Sequence, residues 1–172
     1  MNKISIGFVI FSSFYLHAFT STEEASKIMM PFKKEMMKTL KTSIKSDGIK
    51  GAVKTCHLKA PEITSSYRSE VVAIGRTSLK YRNKNNKPEK WMIPILSEYE
   101  SSKNKEPRIV HVGKDSYYVE PIYVKGLCLN CHGKLSGSIK EAITTSYPHD
   151  KAQNYKVGDF RGLFWMRSVN SN

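Results

Sequence analysis

The sequence predicts a single α+β domain behind an export leader. Three observations carry this: a long amphipathic helical stripe near the N-terminus, two alternating segments joined by a tight turn in the C-terminal half, and a short apolar run at the end. The 172 residues, less a leader, suffice for one hydrophobic core and are short for two.

The leader comes first. Lys3 is the only charged residue before Glu23, and the stretch from Ile4 to Phe14 is almost wholly apolar. That run falls short of the about 20 residues needed to span a bilayer, so it reads as a secretory signal. Small residues around Ala18 to Ser21 offer a cleavage region, which sets the expected leader at residues 1–20 and the expected location in the periplasm.

Residues 21–47 read as an N-terminal amphipathic helix. Ser21 with Glu24 forms a capping box, and Ile28, Phe32, Met36, Leu40 and Ile44 recur every four residues. Pro31 is a point of kinking or restart, and Asp47-Gly48 ends the helix. The expected main domain, residues 48–172, opens with a short helix from Ile49 to about Leu58, stopped by Ala60-Pro61. On that helix Cys56 falls within roughly 15° of the centre of the stripe formed by Ile49, Ala52 and Val53, while His57 points about 85° away.

The middle of the chain is polar and turn-rich, with a loop from Arg82 to Pro88 before a helix from about Glu89 to Ser101. Trp91, Ile95, Leu96 and Tyr99 give that helix a buried side. Ile109, Val110 and Val112, the turn Gly113-Lys114-Asp115 and the run from Ser116 to Val124 read as a β-hairpin. Pro121 predicts an edge or a bend in its second strand. Tyr147-Pro148-His149-Asp150 reads as a surface turn, and Gly162 to Val169 as a closing strand.

The chemistry concentrates in the cysteines. Three is an odd number, which in an oxidising compartment leaves one thiol without a disulfide partner. Two of them lie in Leu127-Cys128-Leu129-Asn130-Cys131-His132-Gly133, the C-x-x-C-H pattern of c-type haem attachment. Thiols at that spacing add across the two haem vinyl groups, and the adjacent histidine then lies under the iron. With so few Cys and His, chance would produce the pattern only about 0.002 times in such a chain. A thiol redox pair would need a βαβ setting that the pattern lacks, and a zinc site would need further ligands at close spacing. For Cys56 two readings stand, a buried free cysteine and a second axial ligand. The paired methionines Met29-Met30 and Met36-Met37 sit at helical spacing, where core packing is the commoner role.

Charge bounds the partners. Loss of the leader removes only Lys3 from 28 Lys and Arg, leaving 27 against 15 acidic residues, or +12. The excess recurs over 27–45, 80–90 and 151–167, which predicts either an acidic redox partner protein, an anionic membrane surface, or simply a solvated basic face. Nucleic acid is disfavoured, since no recognition motif accompanies the charge.

Further residues carry a resemblance. They are Thr55-Cys56 through Ala60-Pro61-Glu62, Gly75-Arg76-Thr77-Ser78-Leu79-Lys80, Arg82-Asn83 and Asn86-Lys87-Pro88, then Tyr118 and Pro121-Ile122. After the haem motif follow Tyr147-Pro148, Asp150, Ala152, Tyr155, Gly158-Asp159 and Arg161-Gly162. From about Ile49 to Val169 the chain resembles a family of small c-type haem proteins with a PAS-like fold, found both as free exported proteins and as sensor domains of histidine kinases. The resemblance implies a five-stranded antiparallel sheet with flanking helices. It also implies one haem c ligated by the motif histidine, His132, and by a cysteine at the position of Cys56. Arg76 and Arg82 lie in the family-like segment and are candidates for the haem propionates, which guanidinium groups pair in two-point fashion; a structural salt bridge or a solvated loop is the other reading.

A thiolate opposite an imidazole stabilises Fe(III) and leaves no open coordination site. The expectation is therefore a redox sensor or low-potential electron carrier rather than an enzyme. Two alternatives remain: a peroxidase or gas-binding protein with an open distal side, for which His57 and His111 are the candidate distal groups, and a partner-binding module with a structural haem.

Overall fold

The computed structural model describes residues 19–69, 72–102 and 104–168; most of the expected leader, residues 1–18, lies outside them. The first element, α1 (Thr22–Ser66), begins as the sequence predicts, with the Ser21 hydroxyl accepting the Glu24 N–H and two acidic residues in the first turn. Glu24 reaches back to the Thr20 N–H at 2.8 Å, closing the N-terminal turn. The fully buried line runs through Ala25, Met29 and Phe32, with Ile28 and Met36 half-buried beside it.

Gly48, at φ 68° and ψ −175°, is the one non-helical residue within α1. It reverses the chain. Tyr67 donates to Glu35 at 2.8 Å and its ring meets Phe32 at 5.6 Å, whereas a straight helix would hold residues 35 and 67 about 48 Å apart. α1 is thus a helical hairpin with its tip at Asp47-Gly48, where only glycine adopts such a backbone without strain.

The second arm does not stop at Ala60-Pro61 but runs on to Ser66. Pro61 and His57 are both exposed, so the carbonyl that the proline leaves unpaired is open to solvent. Beyond it Ile63 is buried in the core, and that packing, with the Tyr67 contacts, offsets a local cost of about 3 kcal/mol.

Among the described residues the sheet has four antiparallel strands, not the five expected, in the order β1 (Val72–Thr77), β4 (Phe160–Ser168), β3 (Asp115–Tyr123), β2 (Arg108–Val112). Strand periodicity of two sorts the side chains. One row, Ile74, Met166, Tyr118 and Ile109, is in register across all four strands and packs under α1. Lys33 of α1 pairs with Glu120, which also accepts the Tyr118 hydroxyl, tying the first arm to this face. The other face presents Val119, Leu163 and Trp165 to Met92, Leu96 and Tyr99 of α2 (Met92–Ser101).

The hairpin and closing strand match the sequence reading. β3 is central between β2 and β4, yet Pro121 lies beyond the last β2 pairing, Arg108 with Val119, and a register irregularity follows at Ile122/Tyr123. β1 stands where the sequence reads only polar and turn-rich. α4 (Gly137–Ser146), whose one fully buried residue is Ile143, falls in a segment for which the sequence reading assigns no element. No helix among the described residues is long and apolar enough to cross a membrane.

Candidate functional site

The C-x-x-C-H segment sits at one end of the sheet. β3 delivers the chain into a 3-10 turn (Gly126–Cys128) and the short helix α3 (Leu129–His132). The Cys128 sulfur accepts the Lys125 N–H at 3.4 Å, so the first cysteine closes the turn that presents the second. All three cysteines are free thiols and half-buried.

A strap from Asp150 to Tyr155 fixes the motif. Tyr155 N–H donates to the His132 carbonyl and Asn154 N–H to the Gly133 carbonyl, both at 3.0 Å. The His132 Nδ1 bonds the Ala152 carbonyl at 2.8 Å, an assignment that requires the proton on Nδ1 and leaves Nε2 with a free lone pair. Burial, then the nearby Arg161 and Arg82, push the imidazole down to about 3, despite the opposing Ala152 bond and Asp150. A neutral ring with one nitrogen pinned and the other open is the form that ligates a metal.

Arg82 locks strap to motif. Its Nε and Nη2 each donate to Asp150 at 3.1 Å, and Nη2 also reaches the Cys131 carbonyl at 2.6 Å and the Ala152 carbonyl at 3.2 Å. Asp150 accepts in addition from the Ala152 N–H at 2.9 Å and from Gln153 at 3.0 Å. Burial raises the Asp150 carboxyl, but the Arg82 and Ala152 bonds outweigh it and hold the group below its usual range. The segment that reads as a surface turn is therefore partly internal: the Asp150 side chain is 3% exposed.

Cys56 comes from a separate element, the second arm of α1. The second arm of α1 packs on α4 and α3. Ile63 is held over Ile74 of β1, so Cys56, seven residues earlier, lies about 10 Å further along the arm, towards the motif end. As the helical stripe predicts, Ala52 and Val53 are buried, Cys56 is half-buried and His57 is exposed. Burial raises both the Cys56 and the Cys131 thiol, and Cys131 is close enough to Cys56 to feel its charge. Arg76 and Arg82 oppose that rise at Cys56.

Arg76 shares the α1-facing side of β1 with Ile74 and is directed to the same space. Among the described residues it has no hydrogen-bond or ion-pair partner, and burial, then Arg161, lower it to about 10 against the attraction of Cys56 and Tyr147. Tyr147 stacks edge-on against His57 at 4.8 Å. His111 lies at the other end of the sheet beside Ser116, about 23 Å of strand away from Tyr123.

The structure thus brings Cys56, Arg76, Arg82, Cys128, Cys131 and His132 to one end of the molecule. It adds Tyr147, Asp150, Tyr155 and Arg161, whose only sequence signal is membership of the family-like tail. A strand precedes the C-x-x-C pair, but the sheet is antiparallel throughout, unlike a βαβ redox site. Among the described residues no group of three or more His, Cys, Asp or Glu side chains could hold a bare metal ion.

Fold and site together define a small α+β protein with a C-x-x-C-H motif strapped to the end of an antiparallel sheet. The model of the Tll0287-like family matches residues 16–168, and the chain belongs to that family. Its structure is similar to the crystal structure of the cyanobacterial heme-protein Tll0287, with a TM-score of 0.60 and 21% identity over 89% of this chain and 98% of that one. No curated protein matches the chain.

Proposed function

We propose that the protein is an exported monohaem c-type cytochrome acting as a redox sensor or low-potential electron carrier. The observation that carries this is His132: a neutral imidazole pinned through Nδ1, open at Nε2, and next in sequence to one of two half-buried thiols at haem-attachment spacing. The resemblance of the fold to a cyanobacterial heme-protein supports the same reading.

In this reading Cys128 and Cys131 would hold the haem through thioethers, and its iron would be ligated by His132 and by Cys56, the latter from an arm of α1 that owes nothing to the motif. The guanidinium of Arg76, which pairs with no described residue, has the charge and setting to receive a propionate. Arg82 is better placed as the clamp of the motif than as a propionate partner, since Nε and Nη2 are already engaged. When bound, the haem supplies a one-electron couple, and a thiolate-imidazole pair sets it low. The chain's own residues orient the imidazole and hold the thiol half-buried beside Arg76 and Arg82.

An open distal site is disfavoured because His111 is remote and His57 is turned against Tyr147. The test is attachment. Protein from a host competent for haem export should retain covalent haem through acid-acetone extraction, and Cys128→Ala with Cys131→Ala should retain none. Covalent haem in that double variant, or none in the parent, would overturn the proposal.

A further inference from the structure

The sequence spreads its positive charge along the chain, but the fold gathers part of it around the motif. Residues 79–82, 124–134 and 147–161 meet at this end and carry seven Lys and Arg against Asp150 and Asp159. Arg82 and Asp150 neutralise each other in the interior. Lys80, Lys125, Lys134, Lys151 and Lys156 remain exposed. Beside them opens a groove of about 600 Å³, bordered by the rings of Tyr99, Tyr123, Tyr155 and Phe160, in which Lys80 and Lys105 are balanced by Glu100 and Asp159, so that the excess positive charge of this face comes from the exposed lysines around the groove.

Tyr155 connects that groove to the site. Its ring meets His132 edge-on at 6.3 Å between centroids, and the Lys80 ammonium sits 4.6 Å from its centre. Anything seated in the groove is thus one aromatic ring from the imidazole. Val157, 63% exposed, adds an apolar contact at the same end.

We infer that this basic, ring-lined face is the docking surface of an acidic redox protein, with Tyr155 the ring that separates the partner from His132. The inference rests on the proposal that His132 ligates a haem. A concave, aromatic floor with exposed lysines on the surface around it suits a protruding protein partner, which buries apolar area at the centre and pairs charge at the edge. A bilayer offers a flat surface and no side chain to enter the groove.

The test uses the reduced holoprotein and hexacyanoferrate(III), a small acceptor of high negative charge. One electron leaves the protein, Fe(II) becomes Fe(III), and the probe becomes hexacyanoferrate(II). Lys80→Glu with Lys151→Glu is compared with Lys27→Glu and Lys114→Glu, an exposed pair outside the segments that meet at the motif, which changes net charge equally. At low ionic strength the first pair should slow oxidation about 10-fold and the second less than about 2-fold, and the gap should close as salt shortens the reach of the field. Equal slowing by both pairs, or by neither, overturns the docking surface while leaving the haem reading intact. Absence of covalent haem before mixing overturns both. If the haem-end pair loses binding to phosphatidylserine vesicles yet keeps the parent oxidation rate, the face is a membrane contact and the inference falls.

Discussion

Replacing Arg82 with Gln tests whether its guanidinium, rather than packing alone, holds the C-x-x-C-H motif in place. The fork spans three segments, giving two bonds to Asp150 and one each to the carbonyls of Cys131 and Ala152. The side chains of Arg82 and Asp150 are 12% and 3% exposed, so the variant strands a carboxylate almost without water. Four charge-assisted bonds at about 1.5–3 kcal/mol each would overstate the loss, because Nη2 has two hydrogens for three acceptors. Breaking one side of a buried pair, at about 3–5 kcal/mol, is the better guide. For a chain of this size that corresponds to roughly 6–20 °C in Tm. Urea unfolding of the holoprotein, followed by far-ultraviolet circular dichroism, measures it. Arg82→Lys should fall between parent and Arg82→Gln, since it keeps the charge without the fork. Because Ala152 O accepts from both Arg82 and His132 Nδ1, the reduction potential should move as well. A loss below about 1 kcal/mol together with an unchanged potential would refute the clamp.

Cys56→Ala should abolish thiolate-to-iron charge-transfer bands in the oxidised spectrum and raise the reduction potential, whereas His57→Ala should leave both nearly unchanged; an oxidised Cys56→Ala spectrum matching the parent would reduce the thiol to core packing. Asp150 is held below its unfolded value of 3.8, so its contribution is fully present above that value and is lost as pH falls through the lower folded one. Below about pH 4 the parent should therefore lose stability more steeply than Asp150→Asn, and parallel acid-unfolding curves would contradict this. Gly162→Ala should be among the most damaging changes outside the motif, because φ is 140° and a Cβ would lie 2.2 Å from the Thr77 carbonyl oxygen. A chemical-denaturation loss under about 1 kcal/mol would show that β1 and β4 can move apart there.

What the sequence determines by itself is local. The Ser21 cap, the glycine turn at Gly48, the α2 stripe and the β2–β3 hairpin each arise from residues within a few turns or strand pairs of one another, and each lies close to where the pattern puts it. The C-x-x-C-H motif is likewise complete within five residues. The inward direction of Cys56 could be read from its helix alone. Tertiary structure decides what depends on distant partners. β1 is a short strand containing Gly75, and it exists by pairing with β4, roughly ninety residues later, against whose Trp165 ring a Cβ on Gly75 would collide. The second arm of α1 passes Pro61 because Ile63 and Tyr67 find the core, which a proline rule applied to neighbours cannot anticipate. Nor does the pattern around Arg82 or Asp150 distinguish a solvated turn from a buried clamp. Their pairing spans 68 positions and becomes favourable only when the fold removes water from both and supplies the Cys131 and Ala152 backbone to complete their bonds.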